Sequence, residues 1–247
     1  MTLLLVAEGR RYLCEPGAEL QTDLGVLRLP ETAEPGDVVE THLGTRFRVL
    51  RLRGPDLFDE LERTGAPMLP RDIGLVIGLT GAGVGDRVLD AGTGSGILSV
   101  YLAGVGAMVT TYEREPSFAE VARANMRTAG VGDRVEVREA DILDALEELR
   151  AAEPFDVVTL DTGDADAVVP AVPDLLRPGG YLVVYSPFVE QTRAVVTAAR
   201  EAGLAGVEAI ETIQRELQID PRGSRPTPSG VGHSGYLTVA RALPATD

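Results

Sequence analysis

The sequence has no lysine and no tryptophan, only one cysteine and two histidines. A lone thiol, Cys14, excludes an intrachain disulfide and a cysteine-built zinc site, and no metal centre is expected. No apolar run approaches the roughly 20 residues that a membrane span requires. Residues 1–7 have the apolar look of a signal-peptide core, but no basic start precedes them and Glu8-Gly9-Arg10-Arg11 breaks them. They read as a first strand, and the expected location is cytoplasmic. All 23 basic side chains are arginine, set against 38 acids for a net charge of −15. This is the composition of a protein adapted to concentrated salt, although a GC-rich genome would also favour arginine over lysine. Strong acidity ordinarily counts against a nucleic-acid partner. In molar salt, however, the Debye length falls to about 3 Å, and local arginine geometry then says more than net charge.

Two kinds of patterning follow one another along the chain. Short β-like runs at 11–14, 25–29, 37–40 and 45–50, punctuated by Pro16-Gly17 and Pro35-Gly36, predict a small antiparallel β domain over residues 1–64. A short helix over 56–64 closes it. From about residue 71, strands at 87–90, 108–113, 134–137, 155–161 and 180–185 alternate with helices near 73–80, 96–104, 117–129, 142–152, 165–176 and 189–202. That alternation predicts βαβ units and a parallel sheet covered on both faces. Two β-rich runs, 207–219 and 236–243, have no helix between them and are expected to form an antiparallel pair at the sheet edge. Residues 65–247 therefore form the second predicted domain.

The chemistry concentrates at strand ends. Asp90-Ala91-Gly92-Thr93-Gly94-Ser95-Gly96 follows a buried strand and opens a helix, where open α/β sheets bind ligands. Alone, such a turn could hold a dinucleotide or simply join a strand to a helix. The spacing here is Gly92-x-Gly94-x-Gly96, not the G-x-G-x-x-G of nicotinamide enzymes. Glu113 ends the next strand, where it could accept both hydroxyls of a ribose. Asp141 follows the third, where it could accept from an exocyclic adenine amine. The fourth ends in Leu160-Asp161-Thr162-Gly163-Asp164, without the Asn-Pro-Pro-Tyr of many amine methylases. Asp161 could hydrogen-bond a purine amino group, while Asp164 suits a helix cap better.

With these acids in place, residues 71–243 resemble the class I S-adenosylmethionine-dependent methyltransferases. The resemblance implies an α/β, Rossmann-like, seven-stranded and mostly parallel sheet with an antiparallel last strand, here behind the small N-terminal β domain. Four further segments carry a narrower resemblance: Thr22-Asp23-Leu24-Gly25-Val26, the stretch 35–44, Pro67-Met68-Leu69-Pro70-Arg71-Asp72, and Val231-Gly232-His233-Ser234-Gly235-Tyr236-Leu237. Together they are similar to the archaeal and bacterial tRNA (adenine-N1)-methyltransferases, homotetramers that modify T-loop adenine 58 and, in archaea, adenine 57.

That resemblance implies S-adenosylmethionine as cofactor and tRNA as partner. It places Gly92, Thr93, Gly94, Ser95, Gly96, Ile97 and Leu98 around the cofactor, the last four against its methionine portion. Glu113 would meet the ribose, Phe118 and Asp141 the adenine, and Asp161 would line the site as its catalytic acid. Family members often carry an aromatic or histidine before the Pro-Arg/Lys-Asp turn; Leu69 stands there instead, so base stacking is not implied at that position. For RNA, the stretch 42–53 holds four arginines and no acid, with Arg46 and Arg48 on one strand face. Arg222, Arg225 and His233 form a second candidate cluster, with a turn role equally open for His233. A small-molecule or protein methyltransferase, and a non-catalytic tRNA-binding subunit of the same fold, are the competing readings.

Overall fold

The computed structural model describes residues 2–228 and 230–244. The chain begins with β1 (Leu3–Ala7), β2 (Arg10–Cys14), β3 (Glu19–Thr22), β4 (Gly25–Arg28), β5 (Val38–Glu40) and β6 (Arg46–Arg51). Strands β2-β1-β6-β5 make one antiparallel sheet, and β3 and β4 pair as a hairpin. Alternation in β6 explains its placement. Phe47 and Val49 are fully buried with Leu3, Leu5, Leu27 and Leu29, whereas Arg46 and Arg48 point to solvent.

Two helices, α1 (Gly54–Glu60) and α2 (Pro70–Thr80), lead into the larger sheet. Pro70 occupies the first helical position, where its missing N–H costs nothing and its fixed φ suits the turn. There follow β7 (Arg87–Ala91), α3 (Ile97–Gly104), β8 (Met108–Glu113), α4 (Pro116–Ala129), β9 (Val135–Glu139), α5 (Ile142–Ala151) and β10 (Phe155–Leu160). After them come α6 (Ala165–Val168), a 3-10 turn (Val169–Ala171), α7 (Val172–Leu175), β11 (Leu176–Ser186), α8 (Val189–Glu201) and β12 (Ala205–Glu211). The chain ends with β13 (Leu217–Asp220), β14 (Gly223–Pro226) and β15 (Tyr236–Arg241).

The seven-stranded sheet runs β12-β15-β11-β10-β7-β8-β9, and β15 is antiparallel to both its neighbours. Central strands are apolar on both faces, as a covered parallel sheet requires. In β7, Val88 joins a core with Ile97, Val100, Ala122 and Met126, while Leu89 joins the opposite core with Ile142, Leu149, Val168 and Val195. Thus α2, α3 and α4 cover one face and α5 to α8 the other.

Three expectations change. The helix expected over 165–176 is three short pieces, because Pro170 and Pro173 each restart the helix at a new first turn. The run 207–219 is not one strand: β12 stops at Glu211, and Leu217 begins a separate hairpin with β14. The connecting helix ends at Glu60, not 64, which leaves residues 61–69 irregular. Among the described residues, no helix is long and apolar enough to cross a membrane. We expect Phe47→Ala to lower the unfolding free energy by about 3–5 kcal/mol, measurable by denaturant titration; a change under about 1 kcal/mol would remove Phe47 from the core of the small sheet.

Candidate active site

The carboxyl ends of β7, β8 and β10 converge, and backbone hydrogen bonds fix how they meet. Gly92 N–H and Thr93 N–H both donate to Tyr112 O, at 3.0 and 3.2 Å, and Asp161 N–H donates to Ala91 O at 2.8 Å. The glycine loop is therefore stretched between its two neighbouring strands. Gly92 has φ +86°, and a Cβ there would lie 2.0 Å from the Asp161 carbonyl oxygen. Gly96 has φ +79°, and its Cβ would fall 2.4 Å from Met126 Cε. Gly92 requires glycine on two counts, backbone sign and space against main chain; Gly96 requires it chiefly by backbone sign, since Met126 Cε is the end of a flexible side chain.

Beneath the loop lies a buried carboxylate, Asp90, 2% exposed. Its oxygens accept from Ser99 Oγ at 3.0 Å, Thr111 Oγ1 at 2.7 Å and Thr159 Oγ1 at 2.7 Å. Thr111 in turn contacts Thr93 Oγ1 at 2.5 Å, which carries the network up into the loop. Burial pushes the Asp90 carboxyl upward, and the three hydroxyls act against that shift.

Glu113 is buried at the end of β8 and is tied into the loop. Its Oε2 accepts from Gly94 N–H at 2.7 Å and its Oε1 from Glu115 N–H at 3.0 Å. Each oxygen keeps a second acceptor direction for a ribose hydroxyl. Asp141 caps α5 through Leu143 N–H at 2.9 Å, with Arg114 3.7 Å from its other oxygen. Asp164, expected to cap, accepts no helix N–H through its side chain. It sits at the N-cap of α6 but accepts from Thr162 Oγ1 and Arg114. Local hydroxyl and guanidinium partners outcompete the helix N–H groups.

Two hollows flank the loop. One, about 200 Å³, is walled by Gly92, Thr93, Gly94, Ser95, Ile97, Leu98, Phe118 and Asp161, and by residues 64–68 opposite. The other, about 50 Å³, lies among Gly92, Tyr112, Glu113, Arg114, Asp141 and Thr162. Phe118 thus faces the first hollow and Asp141 the second, so the two side chains that the resemblance set on one adenine stand on different sides of Gly92. Asp161 is the acid at the mouth. Desolvation, and then the charge of Asp90, raise its pKa from the ordinary 3.8 to about 7.

Two of the four flagged segments, 67–72 and 231–237, meet beside it. Asp72, 1% exposed, accepts from Ser234 Oγ at 2.7 Å. Arg71 donates to Val231 O at 2.8 Å and Ser234 Oγ at 3.0 Å, and Tyr185 donates to Ser234 O at 2.5 Å. His233 lies 2.7 Å from Glu211 Oε1 and 3.1 Å from Pro187 O. Both partners only accept, so the ring meets them both only as an imidazolium; the Pro187 carbonyl and then Glu211 raise its pKa. A third hollow, about 520 Å³, opens between Leu69–Arg71 and the loops that carry Ile213, Arg215 and Val231.

Arg46 and Arg48 are exposed on β6, and Arg222 and Arg225 on the β13–β14 hairpin. None of the four has an ion-pair partner among the described residues, whereas ten other arginines do. Sequence reasoning missed the hydroxyl cradle of Asp90 and the 64–68 wall. Two threonines inside strands and one serine inside a helix carry no periodic signal, and residues 64–68 form no regular element.

Sheet order, the glycine turn and the three strand-end acids define a class I methyltransferase that uses S-adenosylmethionine. A methyltransferase-domain family model matches residues 83–218. Over almost the whole chain, the sequence is 33% identical to the TrmI tRNA (adenine(57)-N(1)/adenine(58)-N(1))-methyltransferase of Methanocaldococcus jannaschii, covering 98% of this chain and 95% of the relative. It is 31% identical to the Thermus thermophilus TrmI tRNA (adenine(58)-N(1))-methyltransferase, with 99% and 97% covered. The chain belongs to this TrmI family. Among solved structures, the tRNA (m1A58) methyltransferase TrmI of Aquifex aeolicus superposes with a TM-score of 0.74 at 22% identity, covering 99% of this chain and 98% of that one. An S-adenosylmethionine-dependent O-methyltransferase of Thermotoga maritima gives 0.82 at 24%, covering 100% and 94%. At these identities the two structures speak for the fold alone.

We expect Gly92→Ala to abolish calorimetric binding of S-adenosylmethionine and to cost about 1–3 kcal/mol of stability. Wild-type affinity in that variant would mean that the loop relaxes away from Asp161.

Proposed function

We propose that this chain transfers a methyl group from S-adenosylmethionine to N1 of adenine 57, adenine 58 or both in the T-loop of tRNA. The observation that carries the reading is the placement of the Asp161 carboxyl group in the wall of the hollow beside the glycine loop, with no side-chain hydrogen-bond donor among the described residues. Full-length similarity to enzymes named for that reaction supports it.

The residues present fit the cofactor: a loop in which Gly92 has no room for a side chain and Gly96 sits at positive φ, an acid with free acceptor directions at Glu113, and a hollow on either side. Gly92, Thr93, Gly94, Ser95, Gly96, Ile97, Leu98 and Phe118 would hold the methionine-side portion, and Glu113 and Asp141 the adenosine. S-adenosylmethionine supplies an electrophilic methyl group when bound. Adenine N1 is already a nucleophile, so the protein's task is to hold it in line at about 3–3.5 Å. Methylation at N1 spreads positive charge over the ring and its 6-amino group. Ionised Asp161, accepting from that amino group, stabilises the charge as it develops and so contributes more in the transition state than before it. The arriving base must leave its stack at a cost of a few kcal/mol, and the 520 Å³ hollow beside Leu69 is the natural side of entry.

In this reading, residues 1–64 form the RNA-facing part through Arg46 and Arg48, and residues 65–247 the catalytic part. Arg222 and Arg225 on the hairpin extend the basic track. His233 reaches RNA only by giving up Glu211, so holding its segment in place is its first role. The working form is a cytoplasmic homotetramer suited to concentrated salt.

Nucleoside mass spectrometry after incubation with an unmodified tRNA transcript tests the function. 1-Methyladenosine that disappears when adenines 57 and 58 are replaced is expected; its absence at every salt concentration would overturn the reading. Asp161→Asn should keep cofactor affinity and lose at least about 100-fold in kcat. The acid limb of the wild-type pH profile, placed near 7 or below by the cofactor's positive charge, should vanish with it. Because the folded pKa is raised, ionised Asp161 opposes folding. That penalty builds from about pH 4 and is complete above pH 7. Asp161→Asn should therefore raise Tm above pH 7 and leave it unchanged below pH 4. Finally, Arg46→Glu with Arg48→Glu should weaken tRNA binding and flatten its log–log salt dependence by about 1–2, with cofactor Kd unaltered.

A further inference from the structure

The wall of the first hollow opposite the glycine loop is a strap. Leu61, 5% exposed, and Met68, 4% exposed, are its anchors in the core, and residues 62–67 cross between them with no regular structure. Thr64 and Met68 face the hollow, and Thr64 Oγ1 lies 3.7 Å from where a Cβ on Gly94 would be. One buried side chain of the body grips this strap. Asn125 of α4, 4% exposed, accepts from Glu62 N–H at 3.2 Å and donates through Nδ2 to Glu62 O at 2.8 Å. The other hydrogen of the same amide goes to Ser95 O of the glycine loop, also at 2.8 Å. On the same helix face, Ala122 and Met126 close against Gly96.

We propose that Asn125 is a positioning residue for the cofactor: it locks the 62–67 strap to the glycine loop and so fixes the width of the hollow between them. The argument is one of geometry and saturation. Both amide hydrogens and the amide oxygen are spent on backbone groups, two on the strap and one on the loop, so neither wall moves without breaking a bond inside the core. No other residue type of that size offers two donors and an acceptor in one plane. Asn125 touches neither the hollow nor Asp161, and its effect falls on binding and exchange of S-adenosylmethionine. The inference rests on the cofactor lying in this hollow.

The test uses the full chain with Asn125→Asp, which keeps the acceptor for Glu62 N–H but faces two carbonyls with an oxygen, and with Asn125→Ala. Calorimetry, steady-state kinetics and unliganded Tm are read together. Kd and KM for S-adenosylmethionine should rise by about tenfold or more, with kcat at saturation within about twofold of wild type. A fall in kcat at unchanged Kd, or no change in either, overturns the proposal. Amide hydrogen exchange on the wild-type protein gives a readout free of folding defects. Saturating S-adenosylmethionine should slow exchange over residues 62–66, and unaffected exchange there also overturns it. Glu113→Ala separates the two layers. If it leaves Kd unchanged, the placement of the cofactor fails; if it weakens binding while the Asn125 variants do not, only the strap assignment fails.

Discussion

Gly92 packs against the main chain of Asp161 with no room for a single methyl group. The contact joins the end of β7 to the end of β10, and the bond from Asp161 N–H to Ala91 O holds it from the other side. From this seam the loop turns upward at positive φ, and Thr93 and Gly94 are handed to the hydroxyl and carboxylate partners rising from β8. The two hollows exist because the loop passes between them. Any side chain at position 92 would push Asp161 away from the mouth, which ties the acid's placement to the absence of an atom elsewhere.

Two acids separated by one strand step show how environment divides labour. Asp90 is buried deeper, yet three hydroxyls surround it and it spends its charge on architecture. Asp161 has no side-chain hydrogen-bond donor among the described residues; burial first, and then the charge of Asp90, raise its proton affinity toward neutrality. The unsatisfied member of the pair is the one that faces the hollow. Carboxylates with shifted affinity in a cleft are where chemistry is sought, and here the shift comes mainly from the acid's own burial, with Asp90 one strand away adding to it.

What the sequence disclosed was local. The buried strand and the glycine spacing lie within ten residues of one another, each acid sits at or just past the end of its own strand, and the alternation of strands with helices ordered them. The failures were local too. Pro170 and Pro173 stand in an apolar run whose spacing suits a helix, and only the structure shows the chain restarting after each. The β13–β14 hairpin buries no side chain, so it had no pattern to display. Contacts between distant segments were invisible from the start. Asn125 meets Glu62 across 63 positions, and Arg71 meets Ser234 across 163. Both ends of the latter pair were flagged as motifs, but nothing in either motif says that they touch.

The antiparallel last strand carries a consequence for biogenesis. β15 does not lie at the edge; it inserts between β11 and β12, and the segment just before it supplies Ser234 to Arg71 and Asp72. A ribosome that has delivered residues 1–211 has made the glycine loop, every strand-end acid and β12, yet β12 has no neighbour to pair with and Asp72 lacks its bond from Ser234. Closure of such sequence-distant contacts is entropically the slowest part of folding. A chain cut short of Ser234 and β15 therefore carries the glycine loop without the strand that pairs with β12 and without the side chain that bonds Asp72.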